Sequence, residues 1–305
     1  MNMKAWARNN LGMGWIRGIV RVGIFCSMGL ILCKNTWADD VQAGETNQRY
    51  FRYGFTVQNE TGQLVPLAEL WVCAPLKDTS FQHLLALKAS QPVEQMNDRL
   101  GNHLLHFVFS NIPPYAVRIV NVEATVAMNS TARSVSISRD QYLHPEPLMQ
   151  FDAAEFDHLA PKFAREAPVE QTVQAIFNWV RQNIRDIGYD GTDRGALYAL
   201  TEKKGDCTEF AALFVALCRR EGIPARVMGG YVIDQNTNLD PASFHNWGEY
   251  YASGAWHLAD PQAGILNEKS EQYIAMRVSG ESDSPLENYA RFRYLGNGIK
   301  VVMSK

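Results

Sequence analysis

Cysteine is scarce: the chain has five in 305 residues, and only Cys73, Cys207 and Cys218 lie beyond residue 38. So few thiols exclude a disulfide scaffold, and an odd number leaves at least one unpaired in a monomer. An excess of basic charge is also missing. Twenty-nine Lys plus Arg face 32 Asp plus Glu, a net −3. The first 38 residues hold Lys4, Arg8, Arg17, Arg21 and Lys34 and no acid, so the remainder has 24 bases against 32 acids, a net −8. That balance excludes the electrostatic footprint of phosphate-backbone binding, and no nucleic acid partner is expected. Past residue 38 no apolar run approaches the roughly 20 residues of a bilayer-spanning helix, and no internal repeat is visible. What is present is ordinary globular composition, 46% hydrophobic and 20% charged, at a length that suggests roughly two domains.

Residues 1–38 read as an address. Four bases lead into the apolar stretch Val22 to Cys33, and Thr36-Trp37-Ala38 offers small residues at the outer and inner cleavage positions. The expectation is a signal peptide cleaved near Ala38 and a periplasmic or secreted mature protein. The alternative is an uncleaved N-terminal anchor, which would be the chain's only membrane contact.

From Tyr50 to about Met149 short apolar and β-branched runs alternate with turn signals: Phe51 to Val57, Leu64 to Val72, Leu104 to Phe109, Val117 to Val126. This texture predicts a β-sandwich-like domain over 39–150. His103 and His106, three apart on a strand, would face opposite sides, which argues against a metal site there. After Pro161 the period becomes helical. Val169, Val173, Ile176, Phe177, Val180 and Ile184 share one helical face, with Pro168 at its start and Gly188 closing the run. Residues 151–305 are read as a second, α+β domain.

The chemistry concentrates in that domain. Asp206-Cys207-Thr208-Glu209 reads as a capping box with an acidic cap, Phe210, Leu213, Phe214 and Leu217 mark a buried face, and Gly222-Ile223-Pro224 ends the helix. Cys207 therefore falls in the first helical turn, where free amides and the macrodipole favour the thiolate and lower its pKa. Cys218 lies three turns along, about 16 Å away at 1.5 Å per residue, too far for a disulfide; it and Cys73 are read as core.

A thiolate nucleophile needs a base, and the base an orienting group. His245 to Ala252, a turn at Ser253-Gly254, and Ala255 to Asp260 form a β-hairpin signal. A two-residue turn pairs Ala252 with Ala255, Tyr250 with His257 and Trp247 with Asp260. His245 then shares a face with Asp260 and lies diagonal to it, about 7 Å between Cβ atoms; a one-residue slip would separate them. Alone, each is as readily a structural histidine or a turn-starting aspartate; together with Cys207 they make a candidate triad. His257, on the other face, should be dispensable.

The order and spacing of these segments resemble the transglutaminase-like superfamily, whose core is similar to papain-type cysteine proteases. The resemblance rests on Ile176-Phe177-Asn178-Trp179-Val180, Gly205-Asp206-Cys207, Leu213 to Arg219, Gly222 to Arg226, Gly230-Tyr231, His245-Asn246-Trp247 and Trp256 to Pro261, within residues 169–264. Asn246 stands where Ala is more usual. The resemblance implies an α+β, cysteine-protease-like fold with an antiparallel sheet packed on helices, preceded by the β-sandwich. It implies Cys207 as nucleophile, His245 as general base and acid, and Asp260 as orienter. It carries over no calcium loop, and no cofactor or metal is expected.

The expected activity is acyl transfer on amide bonds of an envelope peptide or protein through a thioester, with helix-start amides holding the oxyanion. Hydrolysis is placed ahead of a cross-linking transamidase, and a non-catalytic peptide-binding module is the third reading. Trp247 and Tyr231 are candidate substrate-binding residues, though aromatics on a half-buried hairpin also serve packing. Arg226 is read as a structural ion-pair donor and Glu249 as a solvated strand residue.

Overall fold

The structure, a computed structural model, describes residues 47–160, 163, 167–281, 283–286 and 290–304. The expected signal peptide, residues 1–38, lies outside the described residues. The first stretch is all strand: β1 (Asn47–Asn59), β2 (Val65–Cys73), β3 (Gln82–Ala89), β4 (Glu94–Asn97), β5 (His103–Ile112) and β6 (Val117–Met128). In β1 the alternation of Phe51, Tyr53, Phe55 and Val57 sends every second side chain inward. Those residues meet Leu70 and Val72 of β2 and Leu105 and Phe107 of β5 in one core. Two sheets thus face one another, the sandwich the turn spacing predicts.

Helices follow: α1 (Ala154–Leu159), α2 (Val169–Asn183), α3 (Gly195–Glu202) and α4 (Cys207–Arg220), with the short strands β7 (Arg185–Asp186) and β8 (Lys204–Gly205) between them. α2 buries Val173, Ile176, Phe177 and Val180. Two details of its predicted boundaries differ. Val169 is exposed at the first turn, and the helix ends at Asn183 rather than near Gly188, because Ile184 turns extended and leads into β7. α4 ends as expected, with Gly222 at φ +76° and Ile223 N donating back to Cys218 O at 2.9 Å.

The remaining strands are β9 (Ala225–Val232), β10 (Thr237–Asn238), β11 (Phe244–Ala252), β12 (Ala255–Asp260), β13 (Ile265–Leu266), β14 (Tyr273–Ser279), β15 (Phe292–Leu295) and β16 (Ile299–Ser304). Five make an antiparallel sheet in the order β13-β12-β11-β9-β14. One face packs on α2, α3 and α4 through Ala225, Val227, Tyr250 and Ala259; the other carries Met228, Trp247, Leu258 and Tyr273, joined by Leu76 and Phe81.

The contacts do not divide at residue 150. β10 and β16 pair with β1, and β15 pairs with β2, so the sandwich is completed by strands from the far end of the chain, and residues 43–305 cluster as one unit. The reason is pairing: β1 and β2 each offer a free edge, and an unpaired edge is a liability that a returning strand removes.

Candidate active site

The first turn of α4 is fixed by two carboxylates. Asp206 Oδ1 accepts from Thr208 N at 2.8 Å, and Glu209 Oε2 accepts from Asp206 N at 3.1 Å, which closes the expected capping box. Glu209 also does what the pattern did not foretell. Its Oε1 accepts from Arg194 N at 2.8 Å and Gly195 N at 3.1 Å, so one buried carboxylate holds both the helix start and the entry to α3. Burial pushes the Glu209 carboxyl up, opposed by those three amides and assisted by the charge of Asp206. Gly205 makes this possible, since a Cβ there would sit 2.2 Å from Glu209 Cβ. Asp206 Oδ2 accepts from Asp190 N at 3.1 Å, and Arg194 Nη1 donates to Asp190 Oδ2 at 2.6 Å. Residues 189–195 are thereby tied to the base of the helix that carries Cys207.

The hairpin has the predicted register: Ala252 pairs with Ala255, Tyr250 with His257 and Gly248 with Ala259. Ser253 and Gly254 both adopt positive φ, 51° and 84°, the backbone a two-residue I′ turn requires. In consequence His245 Nε2 meets Asp260 Oδ2 at 2.6 Å, and Cys207, at the start of α4, is near enough to act on the ring. Asp260 is buried and held from two further directions. Its Oδ2 also accepts from Tyr273 Oη at 2.9 Å, and its Oδ1 from Ala263 N at 3.0 Å.

Burial works against charge on the His245 ring, but hydrogen bonds and charge from Asp260 and Cys207 outweigh it and push the pKa up to about 10. At neutral pH the ring is therefore an imidazolium between two acidic partners. Burial, then the adjacent Asp260 carboxylate, pushes the Tyr273 hydroxyl well up, so it stays a donor.

Tyr273 is the member of the site that sequence reasoning missed. It stands on β14, two strands from His245, and reaches Asp260 across a gap left by Gly230, which pairs with His245. A Cβ on Gly230 would lie 1.9 Å from Ile274 O and 3.0 Å from the Trp247 ring. No local spacing signals that crossing; the only trace is the glycine itself.

Over Cys207 opens a cleft of about 400 Å³, walled by Tyr189, Asp190 and Asp193 on one side and by Phe244, Asn246 and Arg291 on another. Cys207 is half-buried at its floor. No cluster of His, Cys, Asp and Glu suited to a metal ion occurs among the described residues.

Residues 157–261, which include Cys207, His245, Asp260 and every cleft-wall residue named except Arg291, match the family model of the transglutaminase-like superfamily. The chain carries a transglutaminase-like domain. Over 235 residues it is 26% identical to a protein-glutamine gamma-glutamyltransferase of Pseudomonas aeruginosa, covering 72% of this chain and 31% of that protein. Over 122 residues it is 29% identical to an uncharacterized Mycobacterium leprae protein, covering 38% of this chain and 43% of that one. The chain thus spans less than half the length of the curated relatives it matches. A solved Cytophaga hutchinsonii structure, named as a candidate cysteine protease, superposes with a TM-score of 0.50 at 21% identity, over 84% of this chain and 93% of that one. Its likeness bears on the fold: an antiparallel sheet packed on helices, as the transglutaminase-like pattern implies.

Within the transglutaminase-like domain the structure brings Cys207, His245 and Asp260 together and sets the other two candidates apart. Trp247 is 1% exposed and Tyr231 2%, and neither lines the cleft. Trp247 shares a strand face with His245, its ring parallel to the imidazole with centroids 6.4 Å apart and edge-on to Tyr273, but there it is covered by Met228, Leu258 and Tyr273 and does not open to the cleft. Tyr231 packs into the sandwich core against Phe244, where burial pushes its hydroxyl up to about 12 against the pull of Arg291. A substrate-contacting role for either is corrected to support from behind. Glu249 is also not solvated: it is buried and accepts both Arg226 Nε (2.9 Å) and Nη2 (2.7 Å). Cys73 and Cys218 are core, and burial raises both thiols. His257 points away, its Nε2 on Ala252 O at 3.1 Å.

Proposed function

We propose that the chain is a cysteine acyl-transfer enzyme acting on amide bonds, with hydrolysis as its main outcome. The observation that carries this reading is the His245 ring, bonded to Asp260 and near enough to Cys207 for the two to interact, with Cys207 itself lining an open cleft. Cys207 Sγ attacks the amide carbonyl, and the His245 imidazolium gives its proton to the leaving amine. The thioester then meets water, activated by the ring now acting as base. The Thr208 amide is held by Asp206, so the expected helix-start oxyanion donors narrow to the amide of Cys207 itself. Hydrolysis is favoured because Cys207 is partly exposed on an open cleft, where water can reach the thioester.

The substrate proposed is a peptide or protein of the cell envelope, in keeping with the signal-peptide pattern of residues 1–38. Transamidation is the second reading, and the named activity of the Pseudomonas relative is what favours it. The test is incubation with glutaminyl and peptide-amide substrates, with and without a primary amine. Cys207-dependent release of free carboxylate in the presence of amine supports the hydrolase. Predominant amine adduct makes it a transamidase, and the lack of both product and trapped thioester makes it a binding module.

A further inference from the structure

Cys207 and His245 sit on different elements, so something must set the distance between them. One residue beyond each lies a second pair. Asn246 Nδ2 donates to Thr208 Oγ1 at 3.0 Å, and the two residues are 6% and 4% exposed. That bond points the Asn246 amide nitrogen toward α4. The Asn246 oxygen is left buried over Gly229, without a hydrogen-bond partner among the described residues.

An unpaired buried carbonyl is destabilising, so this asparagine is a poor choice for packing alone. What its amide does provide is a direct bond between the strand of His245 and the helix of Cys207. We infer that Thr208 and Asn246 are a positioning pair that sets the Cys207–His245 separation, an inference that rests on the acyl-transfer reading.

The test measures alkylation of Cys207 by iodoacetamide at about pH 5.5, where reaction requires the thiolate–imidazolium pair, and at about pH 10.5, where any accessible thiolate reacts. Thermal midpoints are taken alongside. Thr208→Val and Asn246→Ala are expected to lower the acidic rate by about fivefold, the factor one net hydrogen bond carries, while the alkaline rate stays within about twofold. Thr208→Ser should restore the acidic rate. Wild-type acidic rates in both variants, a parallel fall at both pH values, or failure of serine to rescue overturns the positioning role and leaves the acyl-transfer reading standing. Failure of both variants to fold assigns the pair to stability instead. If the wild type itself does not react at acidic pH, the acyl-transfer reading falls and the pair's role falls with it.

Discussion

Replacing Asp260 by Asn removes a charge from the site while nearly keeping its shape. The His245 ring stands at about 10 against an ordinary 6.5, which corresponds to about 5 kcal/mol in favour of the charged ring. That preference survives a burial penalty and is supplied by Asp260 and Cys207, each through a hydrogen bond and through charge. Without the carboxylate the penalty stays and the hydrogen bond and charge of Asp260 go, so the ring should fall by about one to three pH units. The sign follows from the raised value: the charged ring stabilises the fold fully below pH 6.5, and that contribution is lost as pH rises through about 10. In Asp260→Asn the loss comes earlier. The basic limb of kcat/KM against pH should therefore move from near 10 to about 7–9, and kcat/KM at neutral pH should drop by about 10²–10⁴, because the ring also loses its fixed tautomer. The assay is the full pH profile with a peptide amide, paired with thermal midpoints at several pH values. A basic limb that stays near 10, or a loss smaller than tenfold, would refute the claim that Asp260 holds the ring charged and oriented.

Tyr273→Phe deletes one of the donors on Asp260 and should cost about 1–3 kcal/mol in urea unfolding, with a few-fold fall in kcat and little change in KM. Glu209→Ala strands the amides of Arg194, Gly195 and Asp206; a loss of about 3 kcal/mol or more is expected, with new protease cleavage between residues 188 and 195. Cys207→Ala should abolish turnover and, by removing one of the two groups that hold the His245 ring charged, bring the loss of thermal stability on raising pH to lower pH. His257→Ala should keep turnover within about twofold, because its ring faces Tyr250 and the Ala252 carbonyl; a large loss would mean the hairpin's faces are misassigned.

Local signals proved legible, and distant ones did not. The capping box at Asp206 and Glu209, the glycine end of α4 and the hairpin turn at Ser253-Gly254 are each written within a few residues, and all three stand where the pattern puts them. Period-2 alternation then fixed His245 and Asp260 on one face, because a one-residue slip would have flipped every side chain. Alternation put Trp247 on that same face, and what it could not reveal is that Leu76 and Phe81 from the sandwich region join the cluster that buries it. β14, β15 and β16 left no comparable mark. Their partners are β9, β2 and β1, and pairing over such separations has no periodicity to betray it. Tyr273 was missed for that reason, as was the joining of both chain ends in one sandwich. Glu249 misled through its charge, since its partner Arg226 lies 23 residues earlier.

The surroundings of Cys207 also decide which counter-charge the sulfur relies on. A helix start offers amides to an anion, but here the first cap oxygen takes the Thr208 amide and the second reaches out to Asp190 N. The helix's own donors are therefore partly committed to Asp206 before any sulfur anion forms, and Asp206 and Glu209 add negative charge at the same turn. A counter-charge for the sulfur is the imidazolium, which exists at neutral pH because Asp260 and Cys207 outweigh its burial, with Arg291 a second cation on the cleft wall. The helix cap thus serves geometry, holding Cys207 and the 189–195 wall in place, while the imidazolium comes from the hairpin. If that division is right, Asp206→Asn should disturb the loop and the thermal midpoint more than the acidic reactivity of Cys207, whereas Asp260→Asn should do the reverse.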